Sequence, residues 1–199
     1  MASFEDITRH DEFDPDDDVR VERRIVDAPI AVIEADPTWP TLYAEIAARV
    51  RGALGDRVLE LEHVGSTSVP GLAAKPVIDI DLTVADSSDE KAYVPELEAV
   101  GFVLLIREPK WHEHRCLMLD EPRVNLHVWS PGCPEAIRTR MFRDWLRSHP
   151  DDRDRYAHAK RASATASNMA GESVVAYNQR KQPVIRDILD RMFRAQGML

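Results

Sequence analysis

Along residues 76–84 the chain alternates strictly. Ile78, Ile80, Leu82 and Val84 fall on one side, and Val77, Asp79, Asp81 and Thr83 on the other, the period of a strand with two unlike faces. Other segments carry the helical period. From Pro37 to Leu54, Leu42, Ile46, Val50 and Leu54 recur every fourth residue and form one apolar stripe, which Gly55-Asp56 ends. Shorter apolar runs at Ile30–Glu34, Val58–His63, Phe102–Ile106, Arg115–Leu119 and Arg123–Trp129 predict further strands. Asp120-Glu121-Pro122 supplies a hairpin turn between the last two. Ser87–Val100 predicts a helix capped by Ser87 or Ser88, with Gly101 past its end. From Pro134 onward only helical patterns remain: Pro134–Ser148, a second segment from Asp151 to Met169, and Glu172–Ala195. The layout predicts an α/β (α+β) protein, with a mixed-sheet core over residues 21–133 and a helical extension over 134–199 packed on it.

Composition changes this picture at one end. Of the net charge of −9, residues 1–20 hold −6, with eight acids against Arg9 and Arg20. That segment is too acidic and too poor in apolar residues to bury itself, so it is expected to be a disordered tail. The remainder is near neutral and has no broad basic field, which argues against long nucleic acid as a partner. No apolar run approaches a membrane span, and the start has no secretory pattern, so a cytoplasmic location is expected. Cys116 and Cys133 have no metal-type spacing and read as reduced thiols.

The chemistry concentrates in two neighbouring segments. Asp79 and Asp81 stand roughly 6.6 Å apart along one strand face. Such a pair fits either a half-exposed strand with its acids in water or a site for a hard cation between them. Upstream lies Gly65-Ser66-Thr67-Ser68, with twelve residues between Ser66 and Asp79. A glycine there lets a phosphate approach the backbone, and three hydroxyls follow. Lys75 adds a cation just before the acids. A turn of this kind leading into a two-acid strand points to a nucleotide or phosphoryl site.

The run from His63 through Gly65, Ser66, Pro70, Gly71 and Lys75 to Ile80 closely resembles the signature of GrpB-like proteins, a branch of the polymerase-beta-type nucleotidyltransferase superfamily. The likeness continues through Asn125–Val128 and Phe142–Pro150, and on to Tyr156, Lys160, Tyr177 and Lys181. The resemblance implies a nucleotidyltransferase-like mixed sheet with flanking helices. It implies nucleotide phosphates held by Gly65 and Ser66. From the residues themselves, Thr67, Ser68 and Lys75 are further phosphate candidates; Arg115, Lys160 and Lys181 are suited to neutralise triphosphate charge, and each taken alone equally fits a solvated surface charge. The resemblance also implies magnesium, or manganese in its place, on Asp79 and Asp81. The reaction would move a nucleoside monophosphate from a nucleoside triphosphate to a small-molecule or protein acceptor, with pyrophosphate as the leaving group.

The superfamily's third acid is missing from its expected strand. In Arg123–Trp129 the face opposite the core carries Asn125 and His127 instead. A neutral His127 fits a general base, a metal ligand or a hydrogen-bonded structural histidine. The loss leaves two alternatives open: a nucleotide-binding module without transfer, and a metal-dependent phosphohydrolase. His112 and His114 lack the spacing of a zinc site. The acceptor, the preferred base and the oligomeric state are not written in the sequence.

Overall fold

The computed structural model describes residues 2–10, 19–21 and 29–199. Its centre is a five-stranded sheet of β1 (Glu60–Val64), β2 (Ile78–Thr83), β3 (Val103–Glu108), β4 (His114–Leu119) and β5 (Val124–Trp129). Spatial order is β1-β2-β5-β4-β3, and only the central β2–β5 pair is parallel. The parallel register sets Asp79 beside Asn125 and Asp81 beside His127.

The sheet is covered on both sides. Ile78, Ile80, Leu82, Leu117, Val124, Leu126 and Val128 pack against α2 (Trp39–Leu54) and α3 (Val94–Ala99) in the main core. The other face carries the acids and turns toward α4 (Pro134–Ser148), α5 (Pro150–Ala170) and α6 (Val174–Ala195). These helices make cores of their own, in which Leu146, Tyr156 and Ile188 meet Val69 and Leu72 of the loop between β1 and β2. Gly171 closes α5 in the left-handed conformation, and the Ser173 hydroxyl caps α6.

Three local expectations change. Ile30–Glu34 forms no strand and keeps a single bridge from Ile33 to Ala74. The helix expected over 87–100 shrinks to α3, preceded by a 3-10 turn at Glu90–Ala92. Pro95 disfavours helical backbone before it and so restarts the helix. Ser87 is not its cap: it is buried and bonds Ser130, with its N–H donating to Ser130 Oγ at 3.0 Å.

The acidic segment also departs from the expected disordered tail where it is described. Phe4–Thr8 forms α1, with Ser3 and Asp6 in a reciprocal capping box. Ile7 is buried against Leu189, Met192 and Phe193 of α6. Further on, the Arg107 N–H donates to Val19 O at 2.8 Å, and Arg20 bridges Ile106 at the edge of β3. The capping pair and one apolar anchor outweigh the acid content there. Residues 11–18, which hold most of the acids, lie outside the described residues.

Candidate functional site: a two-walled cavity

A cavity of about 460 Å³ opens between the acid-bearing sheet face and the three C-terminal helices. Its sheet wall begins at Gly65, which has φ 65° and ψ −170°. A Cβ placed on Gly65 would sit 2.3 Å from Asp79 Oδ2 and 2.8 Å from Asp79 Cβ. The turn therefore requires glycine both for its backbone angle and for the closeness of the acid.

The hydroxyls that follow divide their work. Thr67 donates to Val77 O at 3.0 Å and lies 3.1 Å from His63 Nε2. Ser68 donates to Gly65 O at 2.6 Å. Both are buried and shape the loop, so the expectation that they contact phosphate is not met; Ser66 alone of the three lines the cavity. From outside, Arg147 donates to Ser68 O at 2.8 Å and Arg143 to His63 O at 2.9 Å, so α4 grips the loop by its carbonyls. His63 stacks on Tyr43 at 4.7 Å, and burial, with Arg147 and Arg143 nearby, pulls its pKa down to about 4. It is a neutral loop support.

The two acids meet different surroundings. Asn125 Nδ2 donates to Asp79 Oδ1 at 2.8 Å, so the neighbouring strand holds the first acid in place. Asp81 is 5% exposed and accepts the Trp129 indole N–H on Oδ1 at 2.9 Å. Its Oδ2 is buried with no hydrogen-bond partner. Burial pushes its pKa up to about 6, against the opposing pull of His127 and the Trp129 bond.

Beside Asp81 runs a chain of three side chains. Glu108 Oε2 lies 2.5 Å from His114 Nδ1, and His114 Nε2 lies 3.0 Å from His127 Nδ1. Burial lowers the pKa of both histidines, and for His114 it prevails over the pull of Glu108. A neutral imidazole has one N–H. The carboxylate of Glu108 takes the one on His114 Nδ1, so His114 Nε2 must accept from His127 Nδ1. His127 is left with its lone pair on Nε2, the form that a base requires. Trp129 stacks on His114 at 4.3 Å and Trp111 meets it edge-on at 5.3 Å, which fixes the ring between them.

The helical wall carries the opposite charge. Lys75, Lys160 and Lys181 all line the cavity, from the loop before β2, from α5 and from α6. Lys75 Nζ lies 5.0 Å above the Tyr177 ring and Lys181 Nζ 5.4 Å from the same ring. Lys160 Nζ lies 4.9 Å above the Tyr156 ring, and Lys181 Nζ approaches the Tyr156 hydroxyl at 3.4 Å.

Gly65, Ser66, Lys75, Asp79, Asp81 and His127 thus converge as expected, and Arg115 does not. It pairs across the sheet with Val128, on the face opposite the acids, and donates to Glu90 at 2.5 Å. Both faces of β4 are buried, so its sequence shows no alternation to fix which residue faces the site. Glu108 and Glu135 line the cavity without having been singled out. Glu108 becomes visible only because β3 continues past Ile106 and pairs Glu108 with His114. Among the described residues no three His, Cys, Asp or Glu side chains form a ready metal shell. Among those residues, too, no helix is long and apolar enough to cross a membrane.

Comparison with known proteins agrees with the signature in the loop. A UPF0157 protein of Halalkalibacterium halodurans is 49% identical over 164 residues, covering 82% of this chain and 83% of that protein. A dephospho-CoA kinase of Mycolicibacterium paratuberculosis is 32% identical over 195 residues; the match takes in 85% of this chain but only 47% of the kinase. The crystal structure of the conserved protein GrpB from Enterococcus faecalis superposes with a TM-score of 0.70 at 27% identity, covering 82% of this chain and 99% of that one. Residues 29–191 match the family model described as GrpB protein, and the chain belongs to that family.

Proposed function

We propose that the cavity is the site of a magnesium-dependent nucleotidyltransferase, which moves a nucleoside monophosphate from a nucleoside triphosphate to a small-molecule or protein acceptor. The observation that carries this reading is the joining of Gly65 to the acid pair: the turn that would admit a phosphate touches Asp79, and next to it Asp81 keeps a buried carboxylate oxygen without a partner. An orphaned anionic oxygen is what a hard divalent cation completes, with further ligands from phosphate and water. Asp79 and Asp81 would hold that cation, and it would neutralise phosphate charge as the leaving group departs.

The chain's own residues supply the rest. Gly65 and Ser66 orient the phosphates with backbone N–H groups and one hydroxyl. An acceptor oxygen or nitrogen attacks the α-phosphorus, the new bond to phosphorus forms, and the bond to pyrophosphate breaks with its electron pair. The acceptor's proton passes to His127 Nε2, which Glu108 and His114 hold in the receptive tautomer. His127 thereby serves where a third acid would stand. A module that binds nucleotide without transferring it is the second reading, favoured by Asn125 and His127, neither of which is a carboxylate.

Purified protein incubated with magnesium and labelled ATP, GTP, CTP or UTP tests the proposal. The dephospho-CoA kinase relatives put dephospho-CoA among the acceptors to include. Label on an acceptor, lost in Asp79→Asn and Asp81→Asn, is the expected result. Magnesium-dependent binding with no product would replace transfer by the binding module, and release of inorganic phosphate would replace it by a phosphohydrolase.

A further inference from the structure

The acid wall leaves the facing wall without a task, and that wall is the less ordinary of the two. Lys75, Lys160 and Lys181 arrive from three separate elements and gather around two tyrosine rings. Among the described residues none of the three has a carboxylate within ion-pair distance. Lys160 is 2% exposed, and its Nζ is buried with no hydrogen-bond partner.

Arginines elsewhere on the surface are paired, as Arg57 with Glu96, Arg143 with Glu62 and Arg180 with Glu172. The lysine group is therefore not short of acids by composition; the fold keeps acids away from it. Tyrosine faces attract ammonium groups only modestly. That attraction is too weak to offset three like charges brought together out of water. Burial and the neighbouring lysines act together to lower the pKa of Lys75 and Lys160, and Asp79 alone opposes them from the other wall. A multivalent anion would relieve the repulsion, fill the donor capacity of Lys160 and lie between the tyrosines and the sheet.

We propose that Lys75, Lys160 and Lys181 form a binding site for a di- or triphosphate group that works without a divalent cation. Lys160 is its buried centre, and Lys75 and Lys181 are its two flanks. Tyr156 and Tyr177 hold the ammonium groups apart and aim them into the cavity. The site stands whether or not nucleotidyl transfer takes place, because its parts do not include the acid pair. Two sources offer this chemistry: the polyphosphate tail of a nucleotide, and a phosphate group carried by an acceptor.

Isothermal titration of the full chain with inorganic tripolyphosphate in divalent-free buffer tests it. Binding is expected, weakened about tenfold or more by Lys160→Met and by Lys181→Gln, since each removes a charged donor. Lys181 is only half-buried, so Lys181→Gln keeps the test sound if Lys160→Met disturbs folding. Displacement of tripolyphosphate by ATP but not by AMP would identify the nucleotide tail as its natural occupant. Simultaneous binding of ATP and tripolyphosphate would identify the acceptor. Absence of tripolyphosphate binding, or equal binding by wild type and both variants, overturns the proposal. Loss of magnesium-dependent transfer with tripolyphosphate binding intact would overturn the transferase reading alone.

Discussion

Asp81→Asn gives the sharpest test of the acid wall, because the structure predicts a gain in stability from a residue placed at the site. The buried carboxyl ionises near pH 6 against 3.8 for its ordinary value. Above pH 6 the folded protein must carry a charge that the unfolded chain carries more easily. A difference of about two pKa units corresponds to about 3 kcal/mol. Below pH 3.8 both states are protonated and the penalty vanishes; it grows as pH rises and is complete above the folded pKa. Asparagine keeps an oxygen for the Trp129 indole N–H and removes the charge. Urea unfolding of metal-stripped protein should show Asp81→Asn more stable than wild type by up to about 3 kcal/mol at about pH 8, and by about half that at about pH 5. Excess magnesium should then stabilise wild type and leave the variant unmoved. A variant no more stable at the higher pH, or equally favoured at both, would refute a buried and unsatisfied carboxylate.

Other substitutions probe the remaining parts. Gly65→Ala drives a methyl into Asp79 and should cost about 2–4 kcal/mol in urea unfolding while abolishing nucleotide binding; an unperturbed variant would mean that the turn is not held against the acid. His127→Asn should lower transfer about 10²–10⁴-fold with nucleotide affinity retained in titration calorimetry. Glu108→Leu, which frees His114 to adopt the other tautomer, should cost about 10–100-fold in the same assay, and full activity would dismiss the chain from the mechanism. Burial pulls the Lys160 pKa down to about 7, so its ammonium burdens the fold most at or below that pH, and the burden fades as pH climbs toward 10.5. Lys160→Met should accordingly stabilise the metal-free protein more at about pH 6 than at about pH 9; the opposite trend would contradict a buried cation.

Much of the sheet wall was legible in the sequence, because a strand of period two states which side chains share a face. Asp79 with Asp81, and Asn125 with His127, needed only that rule, and the Gly65 loop carried a recognisable signature. Arg115 was misplaced for a related reason. When both faces of a strand are buried, as in β4, apolar and polar positions cease to alternate and parity is set by the partner strand. Glu108 depended on how far β3 would pair, a matter of tertiary contact. The lysine wall was less visible still. Lys75 stood out because it is near the acids in sequence; Lys160 and Lys181 were candidates for triphosphate charge that fitted solvated surface lysines equally well, and only the packing of α5 on α6 brings them to the cavity. At the N-terminus, Ile7 shows that one anchored turn can settle inside an otherwise acidic stretch.

The grip of Arg143 and Arg147 on the carbonyls of His63 and Ser68 has a mechanical consequence. A helix fastened both to the end of β1 and to the turn that follows it cannot tilt without disturbing that turn. Tyr156 of α5 and Ile188 of α6 share a core with Leu146 of α4 and with Val69 and Leu72 of the loop between β1 and β2, so swinging the helical layer outward would drag the glycine turn away from the acids. The turn, its carboxylates and the helical layer therefore keep their register as one unit.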